Sequence, residues 1–208
     1  MKRIEISLLI AFLFSAVLSM SALNLECEEI RDSVLRLHVL ANSDSEADQN
    51  LKLKVRDRLL EVSTELYADA QSRDEAVQNT QENLSLLQAE AEKVVQANGY
   101  DYPVSVALEE TYFNTRSYGD ITLPAGNYQA LRVMIGEGAG HNWWCVMFPP
   151  LCISAVSTEI SETENSENEA RLDDVLNEQQ LDLVEGSQYE ARFKCVEMYE
   201  EFMQKIKN

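Results

Sequence analysis

The sequence is short of positive charge. Its 208 residues carry 17 Lys and Arg against 36 Asp and Glu, for a formal charge of −19. Such a chain is repelled by phosphate backbones and anionic lipid, which excludes nucleic acid as a partner. Long apolar runs are also scarce: only Ile6–Met20 is extended, and no later run is long enough to span a bilayer. Catalytic signatures are missing. There is no His-Glu-x-x-His, no Gly-x-Ser-x-Gly and no Asp-Thr-Gly, and the two histidines and four cysteines lack zinc-site spacing. No catalytic residue, metal or cofactor is expected.

The one apolar run has a recognisable setting. Lys2-Arg3 precedes it, Ser7, Ser15 and Ser19 soften it, and Ser19, Ser21 and Ala22 close it. This is the pattern of a secretory signal peptide over residues 1–22. The run is short for a permanent anchor. It is either removed on export or kept as an N-terminal anchor, in which case it is the chain's only membrane contact. Asn24 stands where a lipobox has Leu, so lipidation of Cys27 is not expected. Export makes disulfides possible. Cys145 and Cys152 flank Pro149-Pro150, which can turn the chain back, and Cys27 with Cys195 would tie the ends. Buried free thiols are the alternative.

The rest reads as one domain with appendages. Val34–Leu40 alternates and predicts a half-covered strand, with Leu35, Leu37 and Val39 on one side and Val34, Arg36, His38 and Leu40 on the other. Ser45 with Asp48 resembles a capping box opening a helix from about Glu46 to Ala70. A calcium loop over Asn42, Asp44, Glu46 and Asp48 is disfavoured, because Gln49 stands where a turn is needed. Leu51, Val55, Leu59, Val62 and Leu66 stripe that helix. Lys52, Lys54, Arg56 and Arg58 between them form either a solvated face pairing with Asp48, Asp57 and Glu61 or a docking face for an acidic partner. Ser72–Glu75 starts a second helix that stops at Asn98-Gly99. Pro103–Phe113 alternates as a strand, and Asn114–Asn127 reads as a polar loop. Ser157–Glu169 is low-complexity and acidic. Arg171–Leu183 is a short helix or extended, and Gln188–Ile206 has helical spacing.

The most distinctive stretch is central. Tyr128–Ile135 and Asn142–Phe148 flank Gly136-Glu-Gly-Ala-Gly140 and read as a β-hairpin. The glycines do not mark a phosphate loop, because a strand pattern follows them instead of a helix. His141 and Cys145 lie about 13 Å apart on one strand, too far for a nucleophile–base pair. Trp143 and Trp144 face opposite sides. An exposed Trp is an interface anchor, whereas two covered ones are core. The fold class expected is α+β: a single domain over 30–156, mainly antiparallel, with about four strands and a helical pair on one face. An acidic flexible linker (157–187) and a C-terminal helix (188–208) follow.

Two stretches carry a family likeness. Leu35-Arg-Leu-His-Val-Leu-Ala-Asn-Ser-Asp-Ser-Glu-Ala-Asp-Gln49 with Leu51–Asp57 is one, and Gly126–Gly138 with His141-Asn-Trp-Trp-Cys-Val-Met-Phe-Pro-Pro-Leu-Cys152 is the other. Together they resemble stage II sporulation protein R of endospore-forming bacteria. The resemblance implies an exported messenger, made in the forespore and released into the space between its two membranes. There it would activate a membrane-embedded aspartic protease that processes the precursor of mother-cell sigma E. His141, Asn142, Trp143 and Trp144, with His38 and Asp44 nearby, are the expected partner contacts. A cell-wall hydrolase and a structural module bridging the membranes are the competing readings.

Overall fold

A computed structural model of the chain describes residues 2–118, 121–150 and 176–185. Chain order is α1 (Lys2–Ser33), β1 (Leu35–Leu40), α2 (Glu46–Leu66), α3 (Arg73–Glu82), α4 (Leu84–Ala97), β2 (Val104–Phe113), β3 (Arg116–Tyr118), β4 (Ile121–Leu123), β5 (Gly126–Ile135), β6 (Asn142–Phe148) and α5 (Glu178–Glu185). The fold is α+β, around one mixed four-stranded sheet in the order β2-β5-β1-β6. β2–β5 and β1–β6 are antiparallel, and β1–β5 is parallel.

That order corrects the expected hairpin. β5 and β6 do not pair with each other; β1 lies between them. The reason is that β1 is buried along its whole length, so its backbone groups need a paired strand on each side. Leu37 sits between Leu131 and Cys145, and His38 between Arg132 and Trp144. Every residue of β1 is buried, so it is not half-covered.

Two clusters account for this. On the helix side, Leu35, Leu37 and Val39 pack with Leu131, Val133, Cys145 and Met147 under Leu51, Val55, Leu59 and Leu87. On the other side, Val34, Ala130 and Val146 pack with Phe113, Tyr128, Cys27 and Ile30, closed by Leu123, Leu183 and Val184. The expected loop at Asn114–Asn127 therefore contains the β3–β4 ribbon, which roofs this second cluster. α5, within the expected linker, contributes Leu183 and Val184 to it.

The helices follow their caps. Ser45 accepts from the Asp48 amide and starts α2; Ser72 accepts from the Glu75 amide and starts α3. α2 stops at Leu66 and not at Ala70, because Tyr67 folds in and its hydroxyl meets Thr80 Oγ1 at 2.7 Å. The second helix is two, broken at Asn83, whose side-chain amide donates back to the Asn79 carbonyl. Gly99, at φ +83°, ends α4 as expected.

α1 is one continuous helix with a change of character. Ile4, Ile6, Leu8, Leu9, Phe12 and Leu18 are exposed, whereas Leu23 packs on the body and Cys27 and Ile30 are fully buried. Among the described residues, no helix is long and apolar enough to cross a membrane. Cys152, Cys195, the Ser157–Glu169 run and the expected C-terminal helix lie outside the described residues.

Candidate functional site

β1 and β5 are parallel, so their C-terminal ends emerge on the same edge of the sheet. The loops that leave them lock together there. Asn42 is the joint. Its Oδ1 accepts from the Glu137 amide at 3.0 Å, its carbonyl accepts from the Ala139 amide at 3.2 Å, and its Nδ2 donates to Asp48 at 2.9 Å. The Gly140 amide donates to the Ala41 carbonyl at 3.0 Å. Gly136 and Gly138 have φ +59° and +63°, a conformation that favours glycine.

Asp48 is buried and holds the first loop shut. It accepts from Ser43 Oγ and Asn42 Nδ2, and these bonds keep its carboxyl below the usual range. Asp48→Ala leaves both donors without an acceptor and is expected to lower stability by about 2 kcal/mol, read from the urea midpoint. A midpoint equal to wild type would show that the loop closes without it.

His141 tops the interlock. Its backbone amide donates to Asp44 Oδ1 at 2.6 Å, and its Nδ1 contacts the same oxygen. The amide bond is the first cause of the lowered Asp44 pKa, followed by the ring contact. The His141 carbonyl accepts from Lys52 Nζ at 2.9 Å. The side chains stay outward, with His141 80% and Asp44 57% exposed, and Asn142 is exposed beside them. A recess of about 510 Å³ lies alongside, lined by Asn42, Ser43, Tyr102, Pro103, Gly136 and Glu137.

The tryptophans face opposite sides, as strand geometry requires. Trp143 is half-buried against the helix cluster, with the Arg56 guanidinium 4.2 Å from its ring centre. Trp144 is half-buried against the other cluster and stacks on His38, with ring centres 3.7 Å apart and planes at 12°. Neither is a bare anchor. Of the six residues expected at the contact surface, Asp44, His141 and Asn142 gather at one exposed edge. His38 is buried with Trp144 on the far face, and Trp143 lies beneath α2.

The basic residues of α2 are mostly engaged internally. Arg56 pairs with Asp57 at 2.6 Å; Arg58 pairs with Glu61 at 2.6 Å and Glu90 at 2.8 Å; Lys54 donates to Asn98. Asp57 and Glu61 are the expected partners, whereas Asp48 bonds Asn42 and Ser43 instead. Sequence reasoning missed Asn42 and Asp48 as the locking pair, because their spacing suits a cap equally well. It also missed Arg36, whose signal is a charged residue inside an otherwise apolar strand.

The stretches brought together here lie within the span that matches a known family. The family model described as stage II sporulation protein R matches residues 31–158. The chain is 38% identical over 141 residues to "Stage II sporulation protein R" of Bacillus subtilis (strain 168), covering 68% of this chain and 63% of that relative. It thus spans somewhat under two thirds of that protein's length. No solved structure is similar. The matched span runs from the end of α1 through β6 and contains the whole sheet and both interlocked loops; the chain belongs to the stage II sporulation protein R family.

Proposed function

We propose that the chain is an exported sporulation signal. It leaves the forespore, enters the space between the two membranes and binds a membrane-embedded aspartic protease. Binding favours the protease state that processes the sigma E precursor in the mother cell. A ligand does this only by binding the active state more tightly than the inactive one. One observation carries the reading: the two family stretches, distant in sequence, close on each other to present Asp44, His141 and Asn142 outward on a rigid frame. In keeping with export, the side chains described between Ile4 and Ala22 are exposed, and the helix packs on the body from Leu23. A Cys145–Cys152 disulfide belongs to the same reading. Cys145 is fully buried, and Pro149-Pro150 between the two cysteines can turn the chain back toward it.

The test is co-expression of the full chain with the protease and its precursor in a non-sporulating host. Asp44→Ala and His141→Ala, both at exposed side chains, are expected to lower the processed fraction at least about tenfold while the chain still folds. No processing with the wild-type chain removes the signalling reading. Normal processing by both folded variants moves the contact surface elsewhere.

A further inference from the structure

Arg36 stands in the middle of β1 and is fully buried. A buried guanidinium is costly unless an anion offsets it. Among the described residues no carboxylate pairs with it. Its charge rests instead on aromatic faces: the Phe113 ring centre is 4.1 Å away, Tyr128 is 4.8 Å and Tyr118 is 5.5 Å. Nε donates to the Cys145 carbonyl at 3.1 Å and Nη2 to the Tyr118 hydroxyl at 2.5 Å. Nη1 has no acceptor among the described residues.

A second unsatisfied group lies two residues along the same face. His38 is 5% exposed, and neither ring nitrogen has a hydrogen bond of normal geometry, although the Asn142 side chain approaches. Phe113 touches both, edge-on to His38 at 6.3 Å. Arg36 and His38 point to the same face of β1, their backbones about 7 Å apart along the strand.

We propose that this face is a carboxylate-binding site with Arg36 as its anchoring cation. The end-on fork of Nη1 and Nη2 matches the two oxygens of a planar carboxylate. Nη1 is open, and Nη2 is held by Tyr118, whose hydroxyl occupies the place of the second oxygen. Tyr118 belongs to the β3–β4 ribbon, paired over three residues per strand, and its hydroxyl also donates to the Trp144 carbonyl at 3.4 Å. A ribbon that short has little stability of its own, so its displacement exposes the fork. Arg116, with its guanidinium 5.8 Å from the Trp144 ring, adds positive charge at the entrance of an otherwise acidic protein. The carboxylate is either a free small acid or an acidic side chain of a bound protein.

Trp144 reports on the site, and Trp143→Phe makes it the chain's only tryptophan. In that full-chain background, fluorescence is titrated with sodium acetate and, separately, with an end-blocked hexapeptide holding one glutamate. Sodium chloride fixes the ionic strength. A saturable response is expected, several-fold tighter in Tyr118→Phe and at least about tenfold weaker in Arg36→Met. Tighter peptide than acetate binding identifies a protein side chain as the source; the reverse identifies a free acid. The absence of a saturable response to either probe in both the parent and Tyr118→Phe overturns the proposal. So does a folded Arg36→Met that binds as tightly as its parent. If Arg36→Met does not fold, the Tyr118→Phe titration decides alone.

Discussion

Gly140→Ala is expected to destabilise the protein by about 3 kcal/mol or more, at the upper end for a single added methyl group. A Cβ built at Gly140 would lie 2.2 Å from the Ser43 carbonyl oxygen and 2.5 Å from its carbon. Both atoms are backbone, so no rotamer change relieves the overlap. The two loops would have to part, breaking the Gly140–Ala41 bond and loosening the Asn42 joint. Gly99→Ala is the control. A Cβ there meets nothing within 4 Å, and only the positive φ is unfavourable, worth about 1 kcal/mol. Urea midpoints of the two variants should therefore differ by about 2 kcal/mol. Equal losses would mean that the loops give way to one another easily and that the interlock is not rigid.

Lowering the pH from 7.5 to 4.5 is expected to remove most of about 3 kcal/mol through His38 alone. Burial pushes this histidine down to about 4 from 6.5, helped by the nearby Arg132 guanidinium and opposed by Asn142. A depressed pKa means that, between the two values, the unfolded chain takes up a proton that the folded one refuses. The contribution is complete above about pH 6.5 and drains away as pH falls toward about 4; a gap of that size is worth about 3 kcal/mol. His38→Gln should flatten this part of the profile. The decisive quantity is the difference between the wild-type and His38→Gln slopes of unfolding free energy against pH. Parallel slopes would show that His38 protonates in the folded state without penalty.

Much of the architecture was legible. Alternation in Leu35–Leu40 and in Val104–Phe113 identified strands, and Ser45 and Ser72 identified helix starts, because these signals are local. Strand partnership is not local. Two apolar strands around a glycine turn read as a hairpin, and nothing local in β1 says that it belongs between them. The β3–β4 ribbon was missed because three-residue strands are too short to show a period. The site was legible in part for the same reason. Asp44 and His141 stand out as polar residues in idiosyncratic stretches, but their meeting depends on the sheet order. The separation of His38 from them follows from the alternation of β1 combined with cover on both faces, and that cover comes from residues far along the chain.

The place of β1 also governs when the protein becomes itself. The strand nearest the N-terminus is completed on one side by residues 126–135 and on the other by residues 142–148. Until the last of these has been made and delivered, β1 has an open edge. Pairings this distant close slowly and late in folding. A chain that crosses a membrane from its N-terminal end would therefore carry its central strand through first and fold only once the aromatic strand had followed. The Asp44–His141 edge, which needs both strands in place, would exist only on the far side.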